Sequence, residues 1–441
     1  MGLSETMERA QRLLERRSVR DFELFGMASD TIRAESRQKE ADFLTRSRES
    51  GISIRVIVDG GMGFSYGRDV DDDLIDAVVT SARYQFKDDY NHFPGRYGEY
   101  PSLHADDREI EALDPDACID RAITLELSAR DADPRVENIR KASFARSLSE
   151  VHILNSHGIR AAFNVSAVSS SLMVTLRQDG DVQSGYDFDF SHDLAAFDVK
   201  RVGRTAVERA ASLLGARQIR TSRIPVLFDR TSTAEILEFM ADAFLGENVI
   251  KGKSALKDKL GKACFSQSIT ITDDPLDPRA AEICPFDGEG VPSRRNELVR
   301  GGVLESFLYD SYWARRAGTV TTGNSVRGGY RSWPALGTRH LCLEAGPEPI
   351  AGVLETLPVT MKVTDIMGMH TANPITGELS VGINGILLEK GVGAYPVREA
   401  ALSGNIYEML SRVLAVGDDP RGFGHVCCPS LLIDAVDISS Q

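Results

Sequence analysis

The sequence predicts an α+β chain of two domains: an N-terminal α/β-meander domain over residues 1–220 and a C-terminal β-rich domain, barrel-like or a sandwich, over 221–441. Three observations carry this expectation. The 441 residues, 42% of them hydrophobic, suffice for two or three cores at roughly 100–200 residues per domain. The first half alternates between helical and strand periodicity in the order α, β-meander, α, α, β-meander, α, which keeps strands and helices in separate runs. Beyond Lys251 glycine and proline become dense and the strands short, so the boundary is placed between Leu214 and Arg223.

Residues 4–17 set Met7, Ala10, Leu13 and Leu14 on one helical face. Strands follow at Asp21–Glu35 and 52–60, and the glycines of 61–67 suggest a strand end or bulge with close backbone packing. Residues 69–85 read as a helix, 88–110 as an irregular connection, 115–131 as a helix and 136–145 as a further helix candidate. A strand meander with turns at Asn155–Gly158 and Asp179–Gly180 precedes helical spacing over Asp193–Leu214. In the second half, 224–230 is a short buried strand, followed by a helix from Thr231 with a Thr/Ser cap. Further helices are expected at 306–317 and 403–416.

The net charge of −14, from 65 acidic and 51 basic residues with no long basic block, disfavours nucleic-acid binding. The N-terminal stretch is amphipathic and charged, without the apolar segment of a signal peptide, and no run is apolar enough to span a membrane. The six cysteines form no C-x-x-C pair and no disulfide framework, so a cytoplasmic location is expected.

Chemistry-bearing clusters are few. The Asp69–Asp73 group lacks the spacing of a calcium loop and reads as a helix cap. Asp287 and Glu289, in the stretch FDGEG, are the candidate acid/base pair, although carboxylates between glycines more often form turns. His425 and Cys427, with Cys428 beside them, are the candidate metal ligands. The competing reading makes the two cysteines small buried strand residues. No P-loop or dinucleotide fingerprint occurs.

Seven blocks, in order, give the chain a family resemblance: KGKSALKDKLGK (251–262), SITITDDP (268–275), the FDGEG block (286–318), TTGNSVRGG (321–329), NPITGELSVGINGILLEKG (373–391), the block from Tyr395 to Asp419, and CCPSLLID (427–434). On these the chain resembles the TldD/PmbA family. The resemblance implies two subunit types, of which the TldD type carries zinc on an H-E-x-x-x-H helix with a distant cysteine. The corresponding helix here reads Thr233-Ala234-Glu235-Ile236-Leu237-Glu238-Phe239. With Glu235 set on the motif's glutamate, Ala234 and Phe239 stand at the two histidine positions, and neither can bind a metal. The resemblance therefore implies a PmbA/TldE-type subunit with no cofactor of its own and zinc only in a TldD-type partner. It also implies a heterodimer or homodimer joined through the second domain, with an unfolded or leader peptide as substrate. Two other readings stay open: a stand-alone enzyme of altered chemistry using Asp287/Glu289 or His425/Cys427, and a regulatory binding protein, as the family's older label, modulator of DNA gyrase, suggests.

Overall fold

The computed structural model describes residues 2–440. Its N-terminal part is two copies of one arrangement, in which a helix, a three-stranded meander and a second helix follow in order. The first copy holds α1 (Leu3–Arg16), β1 (Asp21–Arg37), β2 (Glu40–Val58), β3 (Gly61–Gly67) and α2 (Asp72–Tyr84). After the one-turn α3 (Arg108–Glu111), the second holds α4 (Pro115–Ala132), β4 (Val136–Asn155), β5 (Arg160–Gln178), β6 (Asp181–Ser191) and α5 (Val199–Ser212). β1 and β4 pair antiparallel, fusing both meanders into one six-stranded sheet of order β3-β2-β1-β4-β5-β6.

The outer helices rest on glycines at the two sheet edges. A Cβ at Gly63 would lie 2.2 Å from the Val78 carbonyl oxygen of α2, and one at Gly185 would lie 2.0 Å from that of Ala206 in α5. The same helix partners, Ala82 and Ala210, come next in each case. Only a residue without Cβ lets the helix backbone sit this close.

Residues 136–145 are strand, not helix. Register shifts at Val136/Asn138 and Ile139/Lys141 displace the alternation, so Val136, Ile139 and Ala142 fall three apart and imitate a helical face. β2 begins at Glu40, well before the expected Ile52, because its first nine residues are exposed, Phe43 and Leu44 among them, and carry no apolar alternation. Asp71, within the predicted acidic cap, accepts from the Leu74 amide at 2.9 Å.

The C-terminal part opens with β7 (Ser222–Phe228) and α6 (Arg230–Met240), capped by Asp229 rather than by the expected Thr/Ser pair. Next come α7 (Gly246–Ile250), β8 (Ile271–Asp273), β9 (Asn296–Arg300), β10 (Val303–Leu304), α8 (Ser311–Ala317), β11 (Ser325–Val326), β12 (Ala335–Leu336) and β13 (Leu341–Leu343). α9 (Ala351–Thr356), β14 (Val359–Met367), β15 (Glu378–Glu389), β16 (Val392–Asn405), α10 (Ile406–Ser411), β17 (Val413–Val416), β18 (Arg421–Phe423), β19 (Val426–Cys428) and β20 (Leu431–Ser440) complete it. The helices expected at 306–317 and 403–416 shrink to α8 and α10, because Asp310 and Asn405 cap their first turns and start them late.

Strands run in the order β16-β15-β14-β7-β20, and the additional pairing of β16 with β20 closes a five-stranded barrel, with β17 attached to β20. A second sheet, β10-β9-β8-β13-β19-β18, packs with it around one apolar core that includes Phe228, Leu237, Phe244 and Cys428. The molecule is thus α+β, with an N-terminal α/β domain and a C-terminal β-rich domain. No helix among the described residues is long and apolar enough to cross a membrane.

Candidate functional site

α6 follows β7 directly and is set across the junction of the two domains. Asp229 accepts from the Ser232 amide at 2.9 Å and so fixes the first turn. Arg209, from α5 of the N-terminal domain, reaches the same end of the helix. It donates to Thr231 Oγ1 and to the Thr364 carbonyl, each at 2.7 Å, and to Asp365 at 3.2 Å. Ala234, Ile236, Leu237 and Met240 are buried and Phe239 packs against the core, so most of the helix is committed to packing. Beyond its first turn the polar groups are the carboxyls of Glu235 and Glu238. Burial, with Asp365, Glu238 and Asp229 nearby, pushes the Glu235 carboxyl up to about 7. Burial also raises Glu238, which His425 opposes.

Asp287 and Glu289 lie in a buried charge network between the domains. Glu23 of β1 and Arg55 of β2 form a bidentate pair at 3.0 and 2.6 Å. Arg55 also reaches Glu289 at 3.2 Å, and Arg327 donates to Glu23. The other Glu289 oxygen accepts from the Ser311 amide at 3.0 Å. Asp287 accepts from the amides of Glu289, Val291 and Ser325 at 2.8, 2.9 and 3.0 Å, organising a tight loop. Burial and the neighbouring Glu289 carboxylate push Asp287 up to about 7. Lone pairs spent on backbone amides and guanidinium groups suit joining two domains more than relaying protons.

The cysteines separate by face. Cys428 points toward α6, its thiol donating to the Arg230 carbonyl at 3.2 Å. Cys427, one residue earlier on β19, projects from the other face. There it stands in register with Cys342 of the parallel strand β13. His340 lies two residues before Cys342, in the bend leading into β13. Ligand atoms of His340, Cys342 and Cys427 all lie within 4.8 Å of one another, and all three residues are buried. The adjoining Cys342 thiol, with His340 and Arg279 close by, pulls the Cys427 thiol down to about 5. His425 is exposed, at the tip of the β18–β19 hairpin, and is not part of this cluster.

The structure thus brings Cys427 beside His340 and Cys342 and does not bring His425 to it. The H-x-C spacing of His340-Leu341-Cys342 was the available signal, since residues two apart on a strand share a face. Which strand lies beside β19 is a matter of sheet order, which no local pattern gives. Glu23 and Arg55 were missed because a charged residue inside an alternating strand reads as solvent-facing.

Against this geometry, the description PmbA/TldA metallopeptidase domain 1 matches residues 22–84, the central domain 108–214 and the C-terminal domain 221–440. The chain belongs to the PmbA/TldD family. Within the PmbA/TldD framework, domain 1 supplies β1–β3 with α2, the central domain supplies β4–β6 with α5, and the C-terminal domain holds the barrel, α6 and the cysteine cluster. The metalloprotease PmbA of Escherichia coli O157:H7 is 28% identical over 330 residues, 75% of this chain and 71% of that protein. The metalloprotease PmbA homologue of Haemophilus influenzae is 28% identical over 374 residues, 83% of this chain and 80% of its own. A Thermotoga maritima structure described as a modulator of a DNA gyrase superposes with a TM-score of 0.90 at 25% identity, covering 99% of this chain and 100% of its own. TldE from Thermococcus kodakarensis shares the fold, with a TM-score of 0.90 at 24% identity over 99% of this chain and all of that one.

Proposed function

We propose that the chain is the PmbA/TldE-type subunit of a two-subunit zinc metallopeptidase acting on unfolded or leader peptides, with the catalytic zinc in a TldD-type partner. One observation carries the reading. α6, the helix equivalent to the one that bears the zinc motif in the TldD type, contains no histidine among Arg230–Met240. Ala234 and Phe239 stand at the two ligand positions, and both are taken up by packing. A hydrolytic zinc needs three protein ligands and an open water position, which a single carboxyl at Glu235 cannot supply. The subunit's part is then to wall the shared chamber and grip extended peptide through main-chain hydrogen bonds. The resemblance to proteins named metalloprotease PmbA and TldE supports this role.

The test is co-expression with a TldD-type chain from the same genome. The two chains copurify, the pair cleaves an unfolded peptide, and a zinc chelator abolishes cleavage. Each chain alone is inactive. Zinc-dependent cleavage by this chain alone would overturn the assignment and favour a stand-alone enzyme.

A further inference from the structure

We propose that His340, Cys342 and Cys427 form a buried site for one thiophilic d10 metal ion, Zn²⁺ or Cu⁺, held by one imidazole nitrogen and two thiolates. The topology makes the site. β13 and β19 run parallel with Cys342 opposite Cys427, and His340, in the bend leading into β13, brings its ring to the same pair of thiols. Their ligand atoms fall within 4.8 Å of one another. Ligands about 2.0–2.3 Å from a zinc ion stand roughly 3.3–3.8 Å apart, so small rotamer changes close the set around a metal.

An independent observation points to a missing ligand. His340 has no exposure to solvent, and neither of its ring nitrogens meets a hydrogen-bond partner. An orphaned buried polar atom is destabilising, and a metal ion would satisfy one of these two directly. A Cys342–Cys427 disulfide is the competing use of the two thiols, but it leaves the imidazole as orphaned as before.

Charge favours the soft divalent ion. Two thiolates neutralise Zn²⁺, and the nearest other charges, Arg279 and Asp277, already pair with each other at 3.0 and 2.5 Å. Thiolate and imidazole donors select zinc or copper(I) over the oxygen-seeking cations. The site is sealed and lies on the sheet face away from α6, so its role is to tie β13 to β19. It supplies no hydrolytic water, and the proposed subunit role does not depend on it.

Metal analysis of the full chain, purified under reducing conditions from cells grown with both metals, reads the outcome. About one equivalent of zinc or copper per chain is expected, and the metal found identifies the ion. Cys342→Ser and Cys427→Ser lose it, and Cys264→Ser, outside the cluster, retains it. Should the serine variants fail to fold, Co²⁺ titration of the metal-free wild-type chain decides, because thiolate ligation gives an intense near-ultraviolet charge-transfer band. Reduced wild-type protein with neither metal nor that band would overturn the proposal. So would a Cys342–Cys427 disulfide found by mass spectrometry in protein isolated without added oxidant.

Discussion

Glu235 is a carboxyl that the fold keeps protonated to about pH 7. Its folded-state pKa lies above the unfolded value of 4.5, so the folded form holds a proton that the unfolded chain has released. Stability at this residue therefore falls as pH rises from about 4.5 to 7, and stays reduced above. Glu235→Gln removes the penalty. It should raise stability at pH 8 by about 1 kcal/mol, after allowing for solvent screening of a partly exposed carboxyl, and leave stability at pH 4 unchanged. Thermal unfolding of both proteins across that range checks it, and a difference that does not vary with pH would contradict the account. Glu23 behaves in the opposite sense. Burial works to raise it, but Arg55 and Arg327 outweigh burial and hold it below the usual carboxylate range. Arg55→Met leaves Glu23 and Glu289 buried with too little opposing charge. A loss of about 3–5 kcal/mol in urea-monitored stability is expected.

At the scale of elements, Gly63 and Gly185 show that the two N-terminal halves solve one packing problem in the same way. Each edge strand gives up a side chain so that a helix carbonyl can approach. Gly63→Ala and Gly185→Ala should each cost about 1–3 kcal/mol, by similar amounts, because the obstructing atoms are backbone and cannot rotate away. Equilibrium denaturation of both variants tests this, and two tolerated substitutions would refute it. The doubled order of helix, meander and helix was legible in the sequence because apolar spacing reports period directly. β4 was half hidden because its bulges break the period, and the first part of β2 because it has no buried face to betray it. In the C-terminal half the short strands left only α6 and β7 plainly readable. That α6 carries no histidine was plain from its residues. The partners of Cys427 were not, since they come from a strand more than eighty residues earlier in the chain.

Across the whole molecule, the domains meet through buried charged groups as well as through apolar clusters, such as Phe25, Ile153 and Ile159 against Phe286 and Tyr330. Arg209 ties α5 to the start of α6, and the Glu23–Arg55–Glu289 network ties β1 and β2 to the loop before β9. The first of these ties ends on the opening turn of α6, so a shift of one domain against the other would be felt there. In a two-subunit peptidase, that is a route by which partner binding at one domain reaches the other.

The barrel carries a consequence for how the protein is made. β7 is the first barrel strand to leave the ribosome, yet its two neighbours are β14 and β20, and β20 also completes the ring by meeting β16. During synthesis β7 therefore waits with both hydrogen-bonding flanks bare until β14 has been translated, and with one flank bare until β20 follows. Slow elongation or an early stop within that stretch should leave a nascent chain with a sticky open ribbon, and chaperone demand during translation should rise there and fall once β20 has emerged.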